Sequence, residues 1–350
     1  NEVIAIAGGD EYSLALKADG TVWAWGYNQY GKLGDGTTTN RSTPVQVIGL
    51  NGVIAISGGG YHSLALKADG TVWSWEDNGY GQLGDGTTTE HHTPVQVSGI
   101  SGVTAIAAGS DYSMALKGDG KVWAWGNNNY GQLGDDTTTE RHTPVCVNSL
   151  SGITTIASKI SHSLALKGDG TVWAWGNNLY GQLGDGTTTE SYIPVQVYGI
   201  SGVRAIAAGY SHSLALKGDG TVWTWGDNGY GQLGDGTTIY SNIPVQVSGL
   251  NGVIAISAGE YHCLALKADG TIWAWGDNYY GQLGDGTATE RHIPVQVSSI
   301  SGVKAIAAGY SHSLACAGQK HQQSQRFFAV LPKSFRFWPI DIYFLYLPLV

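Results

Sequence analysis

The chain repeats itself every 50 residues. Six full copies fill residues 1–300 without an insertion, and a seventh begins at Ser301 and continues as far as Ala315. The copies agree closely, as NGVIAISGGGYHSLALKADGTVWSWEDNGYGQLGDG from residue 51 and SGVRAIAAGYSHSLALKGDGTVWTWGDNGYGQLGDG from residue 201 illustrate. A period of roughly 20–50 residues is typical of folds in which similar units stack side by side, so the repeat limits the chain to a small group of architectures.

Each copy predicts four short strands. In the first copy they are Val3–Ala7, Tyr12–Lys17, Thr21–Gly26 and Pro44–Val47. These segments are rich in β-branched and aromatic residues and are bounded by Gly, Asp and Asn, which favour turns. No segment shows the apolar stripe of a helix, so an α-solenoid is excluded.

Both faces of the predicted sheet are apolar. Trp23 and Trp25 alternate with Val22 and Ala24, so the two pairs lie on opposite faces. The Asp-Gly turn at residues 18–20 favours antiparallel pairing. A four-stranded antiparallel sheet that is covered on both faces and repeated at this period is typical of a β-propeller blade. We therefore expect an all-β, seven-bladed propeller with six complete repeats over residues 1–300. A parallel β-helix is the alternative, but its repeats are usually shorter.

The repeat pattern stops at Cys316, in the middle of a predicted strand. We expect residues 1–315 to form the propeller and residues 316–350, which hold all five Phe, to form an atypical tail. Three explanations stay open: a reading-frame slip or fused terminus, a membrane or partner anchor, and makeshift third and fourth strands at Ser334–Trp338 and Ile340–Tyr346. No apolar run reaches the roughly 18–20 residues of a membrane span. Because the chain begins at Asn1 inside a repeat, we expect a processed chain or a fragment.

The charge balance argues against nucleic-acid binding. The 350 residues carry 27 Asp and Glu against 18 Lys and Arg, a formal net charge of −9. No basic stripe is present to neutralise phosphates. The three cysteines, Cys146, Cys263 and Cys316, replace Gln, Ser and Leu of the repeat and form no disulfide framework. We expect no nucleic-acid partner and no cofactor.

The repeated polar residues predict structure rather than catalysis. Position 12 of the repeat holds His62, His162, His212, His262 and His312, but Tyr12 and Tyr112 occupy it in two copies, and a metal site would not tolerate that exchange. We expect each imidazole to bond within its own blade. The Asp of GQLGDG is expected to cap backbone amides, because the spacing of a calcium loop is absent. No phosphate loop or Ser-His-Asp set recurs, so we expect no metal site and no catalytic residue.

The string G-x-x-H-S-L-A-L-K-x-D-G-T-V-W-x-W-G-x-N-x-Y-G-Q-L-G-D-G resembles the regulator of chromosome condensation repeat over residues 1–315. The resemblance implies a seven-bladed propeller that binds other macromolecules. The missing catalytic sets, and not the resemblance, lead us to expect that it is not an enzyme. The even spacing and the GDGTT loops are most similar to bacterial members, among them the propeller-type β-lactamase inhibitor protein. The resemblance also implies two alternatives: guanine-nucleotide exchange or other regulation of a small GTPase, and inhibition of a secreted enzyme such as a β-lactamase.

The copies differ mainly at positions 10, 11, 29 and 40–42 of the repeat. Strands alternate in direction, so the turn at positions 8–11 and the loop at 27–43 open on one face, opposite the near-uniform Asp-Gly turns. Variable loops on a constant scaffold are typical of recognition, and Tyr and Arg are enriched at binding hot spots. Neutral drift in exposed loops is the alternative. We predict a protein-binding surface formed by Asp10, Glu11, Arg41, Tyr61, His91, His92, Asp111, Arg141, Tyr210, Glu260, Tyr261, Tyr279, Arg291, His292 and Tyr310.

Overall fold

Each complete repeat folds into one four-stranded antiparallel sheet. A computed structural model describes residues 2–298 and 300–317 and the backbone of residues 326–330. These residues contain 27 strands and no helix. The strands form six four-stranded sheets and one three-stranded sheet, in each of which the strands follow one another in chain order. The prediction of an all-β propeller with a partial seventh blade is confirmed.

Blade one shows how the repeat makes a sheet. Its strands are β1 (Val3–Gly8), β2 (Tyr12–Lys17), β3 (Val22–Gly26) and β4 (Arg41–Gln46). The turn between β2 and β3 contains Gly20 at a φ of 77°, a conformation that glycine adopts without a steric penalty. The Asp19 carboxylate accepts a hydrogen bond from the Thr21 N–H at 3.1 Å and so closes the predicted turn.

The other five complete blades have the same organisation. Blade two contains β5 (Val53–Gly58), β6 (His62–Lys67), β7 (Val72–Glu76) and β8 (His91–Gln96). Blade three contains β9 (Val103–Ala108), β10 (Tyr112–Lys117), β11 (Val122–Gly126) and β12 (Arg141–Cys146). Blade four contains β13 (Ile153–Ser158), β14 (His162–Lys167), β15 (Val172–Gly176) and β16 (Ser191–Gln196). Blade five contains β17 (Val203–Ala208), β18 (His212–Lys217), β19 (Val222–Gly226) and β20 (Ser241–Gln246), and blade six contains β21 (Val253–Ala258), β22 (His262–Lys267), β23 (Ile272–Gly276) and β24 (Arg291–Gln296).

The fourth strand begins earlier than the sequence predicted. We expected Pro44–Val47, whereas β4 spans Arg41–Gln46, because Gly26 at the end of β3 pairs with Arg41 across an irregularity in the register. Positions 41 and 42 are therefore strand residues and not loop residues. The first strand ends one residue later than predicted, and the third strand begins one residue later.

The hydrophobic core lies between neighbouring blades. At the junction of blades one and two, Leu14, Leu16 and Val22 pack with Val53 and Trp75. Equivalent residues form the cores of the next five junctions. Because a sheet between two junctions contributes one face to each of them, both of its faces are covered, as the alternation of apolar residues predicted.

In blades two to six, the second Trp of the WxW segment links its blade to the preceding one. Trp175 is fully buried, and its ring N–H donates to the Gln132 carbonyl at 2.9 Å. Trp75, Trp125, Trp225 and Trp275 make the same bond. Trp25 differs, because it is only half-buried and no carbonyl of residues 2–298 or 300–317 accepts its ring N–H. The Trp residues thus serve packing, as the sequence indicated.

The seventh blade is a three-stranded sheet of β25 (Val303–Ala308), β26 (Ser313–Ala317) and β27 (Arg326–Val330). β27 pairs antiparallel with β26, with Ser313 opposite Val330. One of the three explanations left open placed the third strand at residues 334–338, but the structure places it at 326–330, where the chain pairs the open edge of β26. The predicted strands at 334–338 and 340–346 lie outside the described residues.

The first and seventh blades meet directly and close the ring. The innermost strand β1 contacts both β5 and β25. The Tyr310 N–H donates to the Gly9 carbonyl at 3.2 Å, and His312 Nε2 lies 3.3 Å from Ser13 Oγ. We call this contact the closing junction.

Candidate protein-binding face

The turn after each first strand and the loop after each third strand open at the same end of the ring. In blade one they are residues 9–11 and 27–40, because the strand pairing sets Gly8 opposite Ser13 and Gly26 opposite both Tyr12 and Arg41. The other end carries the Asp-Gly turns and the links between blades. We call these two ends the loop face and the link face. The observed strand directions agree with those from which the loop face was predicted.

A buried Asn organises each long loop. Asn28 Oδ1 accepts a hydrogen bond from the Leu33 N–H at 2.8 Å. Its Nδ2 donates to Asp35 Oδ1 at 3.2 Å and to the carbonyls of Thr37 and Thr39, each at 3.0 Å. Sequence analysis missed this residue, although an Asn in all six copies was a usable signal. The equivalent residues are Asn78, Asn128, Asn178, Asn228 and Asn278.

The predicted Asp caps are present and also hold arginines. Asp35 Oδ1 accepts a hydrogen bond from the Thr37 N–H at 3.0 Å, and Asp35 Oδ2 accepts one from Arg41 Nη2 at 2.9 Å. Desolvation raises the pKa of Asp35, but the bonds from Thr37 and Arg41 outweigh it, so the pKa lies below its usual value. Arg141 and Arg291 bind Asp135 and Asp285 in the same way. Three predicted binding arginines therefore brace their own loops.

The predicted binding residues at positions 41 and 42 form an outer rim, because they begin the outermost strand of each blade. His91 lies 3.3 Å from Asp85, and His292 lies 3.0 Å from Glu290. Tyr279 stands apart near the start of a long loop and is 74% exposed. The rim residues are Arg41, His91, His92, Arg141, Arg291 and His292.

The other eight predicted residues surround the mouth of the central channel, because they follow the innermost strands. Burial raises the pKa of Asp111 to about 6 and that of Glu260 to about 7. Lys159 replaces the glycine of the other copies and lines the channel, where burial lowers its pKa. The centre therefore combines acids that resist ionisation with aromatic rings. Its predicted residues are Asp10, Glu11, Tyr61, Asp111, Tyr210, Glu260, Tyr261 and Tyr310.

The histidines at position 12 connect neighbouring blades. His62 Nε2 lies 2.7 Å from Ser113 Oγ, and His262 Nε2 lies 3.0 Å from Ser313 Oγ. The prediction that each imidazole bonds within its own blade is wrong, because both faces of the sheet abut other blades and this side chain enters the junction. His162, His212 and His312 contact Ser213, Cys263 and Ser13, and Tyr12 and Tyr112 donate to the carbonyls of His62 and His162.

Replacing His262 with Tyr should make the protein less sensitive to acid. Burial lowers the pKa of His262 to about 3, so stability that is present above the unfolded-state pKa near 6.5 is lost as the pH falls towards the folded value. Between pH 8 and pH 5 one such His costs about 2 kcal/mol. Tyr already occupies this position in blades one and three, and His262 Nδ1 has no partner to lose. Urea unfolding at both pH values measures the change, and an equal pH dependence in both proteins would contradict it.

A buried ion pair crosses the junction of blades one and two. Lys32 Nζ lies 3.7 Å from Glu76 Oε1, and the two side chains are 3% and 0% exposed. Lys32 also donates to the Gly60 carbonyl at 3.0 Å, whereas the Glu76 carboxylate accepts no hydrogen bond in the described part of the chain. Burial raises the pKa of Glu76 well above its usual value. The other five copies have Gln and Gly at these positions.

Two features, one of metal-binding proteins and one of proteins with membrane-spanning helices, are absent from the described residues. No group of three or more His, Cys, Asp or Glu within them is arranged to hold a metal ion. They also contain no helix that is long and apolar enough to cross a membrane.

Two solved structures and one curated protein illustrate what the chain is similar to. Human WBSCR16 is 28% identical, with a TM-score of 0.81 over 90% of this chain and 86% of that one. Prp20p from Saccharomyces cerevisiae, described with its binding to Gsp1p and histones, is 25% identical, with a TM-score of 0.81 over 89% of this chain and 82% of that one. The E3 ubiquitin-protein ligase HERC2 from Homo sapiens is 42% identical over 50 residues, which are 14% of this chain and 1% of that protein.

The family model of the RCC1-like domain matches this chain twice, over residues 1–253 and over residues 153–324. Together the two matches span the six complete repeats and the described start of the seventh blade. The 50-residue repeat, the four-stranded blades and this match lead to one conclusion: the chain belongs to the RCC1-like domain family.

Proposed function

We propose that this chain is a non-enzymatic binding protein whose loop face holds a protein partner. The observation that carries the proposal is that the positions at which the copies differ most lie at one end of the ring. The link face repeats the same Asp-Gly turns, whereas the centre and rim of the loop face change from blade to blade. A ring of near-identical blades supplies a rigid scaffold, and changes in its loops alter recognition without altering the fold.

The positions of the exposed tyrosines also support the loop face as the binding surface. Tyrosine provides a large contact area and a hydroxyl at a small cost in conformational entropy, and it is enriched at binding hot spots. Of the ten exposed tyrosines among residues 2–298 and 300–317, only Tyr198 lies at the link face. The nine at the loop face are Tyr30, Tyr61, Tyr80, Tyr130, Tyr180, Tyr192, Tyr230, Tyr240 and Tyr279.

Replacing Tyr210 and Tyr261 together with alanine should weaken partner capture and leave the melting temperature nearly unchanged. The two rings stack at 5.2 Å between centroids and are only partly buried, so their loss removes contact surface rather than core. Tyr198→Ala, which removes a tyrosine that is 67% exposed on the link face, is the matched control. Capture from an extract of the source organism, quantified for the three proteins, gives the measurement. Equal loss in the Tyr198 variant would contradict the assignment of the face.

The identity of the captured partner would distinguish two more specific functions, regulation of a small GTPase and inhibition of a secreted enzyme. Prp20p is described with its binding to Gsp1p and histones, and another structure of it contains bound Kap60. Regulation of a small GTPase predicts a guanine-nucleotide-binding protein in the captured fraction and faster nucleotide release upon its addition. Inhibition of a secreted enzyme, as in the bacterial β-lactamase inhibitor type, predicts loss of activity in the captured enzyme.

A further inference from the structure

The ammonium group of Lys32 lies among three tyrosine rings of the protein itself. The Lys32 ammonium lies 5.0 Å from the ring centroid of Tyr61, 5.7 Å from that of Tyr12 and 5.8 Å from that of Tyr27. Glu76 supplies a carboxylate 3.7 Å away. A cation over an aromatic face is attracted by the negative potential of the ring, and a nearby carboxylate adds to that attraction.

A second group of tyrosines surrounds a carboxylate on the opposite side of the channel mouth. The ring of Tyr261 lies 5.2 Å from that of Tyr210 and 5.0 Å from that of Tyr230. Glu260 is 4% exposed, and the hydroxyls of Tyr261 and Tyr310 stabilise its charged form. We call these five residues the tyrosine–glutamate pocket. This pocket contains the same kinds of group as the surroundings of Lys32, namely several tyrosine rings and one buried carboxylate.

Within the described residues, no cation of the protein pairs directly with the carboxylate of the tyrosine–glutamate pocket. Among residues 2–298 and 300–317, no Lys, Arg or His forms an ion pair with Glu260 within 4.0 Å. The charged groups that act on Glu260 are Asp10, which opposes its ionisation, and Lys159, which favours it from a greater distance. The tyrosine side of the pocket reaches solvent, because Tyr230 is 43% exposed and the rings of the other three tyrosines of the pocket are only partly buried.

We propose that the tyrosine–glutamate pocket binds a cationic side chain, lysine or arginine, of the partner protein. The inference rests on the proposed function, because it names the chemistry of the partner at one place on the loop face. An incoming ammonium or guanidinium group would lie over the rings of Tyr230 and Tyr261 and beside the Glu260 carboxylate, as Lys32 lies among its own rings beside Glu76. The net charge of −9 favours the approach of a basic partner.

Binding of a cation to this pocket should strengthen as the pH rises through 7. Burial, with a contribution from Asp10, raises the pKa of Glu260 to about 7, while Tyr310, Tyr261 and Lys159 act in the other direction. Glu260 is therefore mostly neutral at pH 6 and mostly charged at pH 8. A cation binds the charged form, so its affinity should increase about tenfold between these two pH values.

The test uses the short peptide acetyl-Gly-Arg-Gly-amide as the probe. It is titrated into protein that carries ¹³C-labelled tyrosine rings, and the ring signals are followed by NMR at pH 6 and pH 8. The peptide with citrulline in place of arginine has nearly the same shape without the charge and is the matched ligand control. We expect saturable shifts for the arginine peptide, about tenfold tighter at pH 8, and none for the citrulline peptide.

Two variants complete the experiment. Glu260→Gln keeps the shape of the side chain and should abolish both the binding and its pH dependence, while Glu290→Gln, at the exposed rim, should change neither. A pH-independent affinity in the unaltered protein, equal binding of citrulline, or equal loss in the Glu290 variant would overturn the proposal. Because the peptide test needs no partner, its failure leaves the loss of capture in the Tyr210 and Tyr261 variant as a separate test of protein binding.

Discussion

Replacing Trp175 with alanine should lower the free energy of unfolding by about 3–5 kcal/mol. The ring is fully buried between blades three and four, and its N–H donates to the Gln132 carbonyl at 2.9 Å. Removal of the ring leaves a large cavity between the two blades. The blades cannot move together to fill it, because each sheet is held in shape by its own hydrogen bonds. The substitution also leaves a buried carbonyl with one partner fewer. Urea denaturation followed by circular dichroism measures the loss.

Trp25 is the matched control for this prediction. It has the same place in the repeat, but it is half-buried, and its ring N–H has no acceptor in the described chain. Trp25→Ala should therefore cost less than half as much as Trp175→Ala. Equal losses would show that the Trp residues stabilise their own sheets rather than the junctions between blades.

The second large effect is expected at Lys32. Replacing it with Gln leaves the fully buried Glu76 carboxylate without a counter-charge, and breaking a buried pair in this way costs about 3–5 kcal/mol. Burial already raises the pKa of Glu76, so a proton can replace the missing charge at low pH. The loss measured by urea denaturation should therefore be larger at pH 8 than at pH 5.

Restoring the residues of the other blades should reverse this loss. In the triple variant Tyr27→Asp, Lys32→Gln and Glu76→Gly, the new Gln gains an acceptor like that of Gln82, whose Nε2 donates to Asp77 Oδ2 at 2.7 Å. Glycine also relieves the backbone at residue 76, where Glu has a φ of 96°. We expect this variant to exceed the original protein in stability by about 1–4 kcal/mol. A triple variant no more stable than Lys32→Gln alone would contradict the account of the pair.

The fold was predictable because its signals are local and repeated six times. Alternating apolar residues and the Asp-Gly turn at residues 18–20 indicated strands and their antiparallel pairing within one copy. The position of Arg41 was not predictable in this way, since the start of β4 depends on its pairing with Gly26 after a long loop. Strand direction alone correctly placed the centre and rim of the loop face at one end of the ring.

Contacts between blades were much harder to predict. His62 bonds to Ser113, 51 residues away, and nothing in one repeat indicates which sheet a side chain will meet. The pair of Lys32 and Glu76 had a signal that sequence analysis did not use. Both residues differ from those at the same position in the other copies, and they are 44 residues apart in the chain. The contact between Trp75 and the Lys32 carbonyl, which crosses the same junction, joins residues that are 43 apart.

The closing junction differs from the others in the length of chain that it joins. His312 and Ser13 are 299 residues apart, whereas the corresponding His62 and Ser113 are only 51 apart. In the unfolded chain the entropy of loop closure grows with the logarithm of this length, so forming the closing junction before the others would cost about 1.6 kcal/mol more than forming a junction between consecutive blades. The junction between blades seven and one should therefore form last during folding and open first in the native state. Opening of the ring at the closing junction exposes the half-buried Trp25 while the other junctions between blades are still intact.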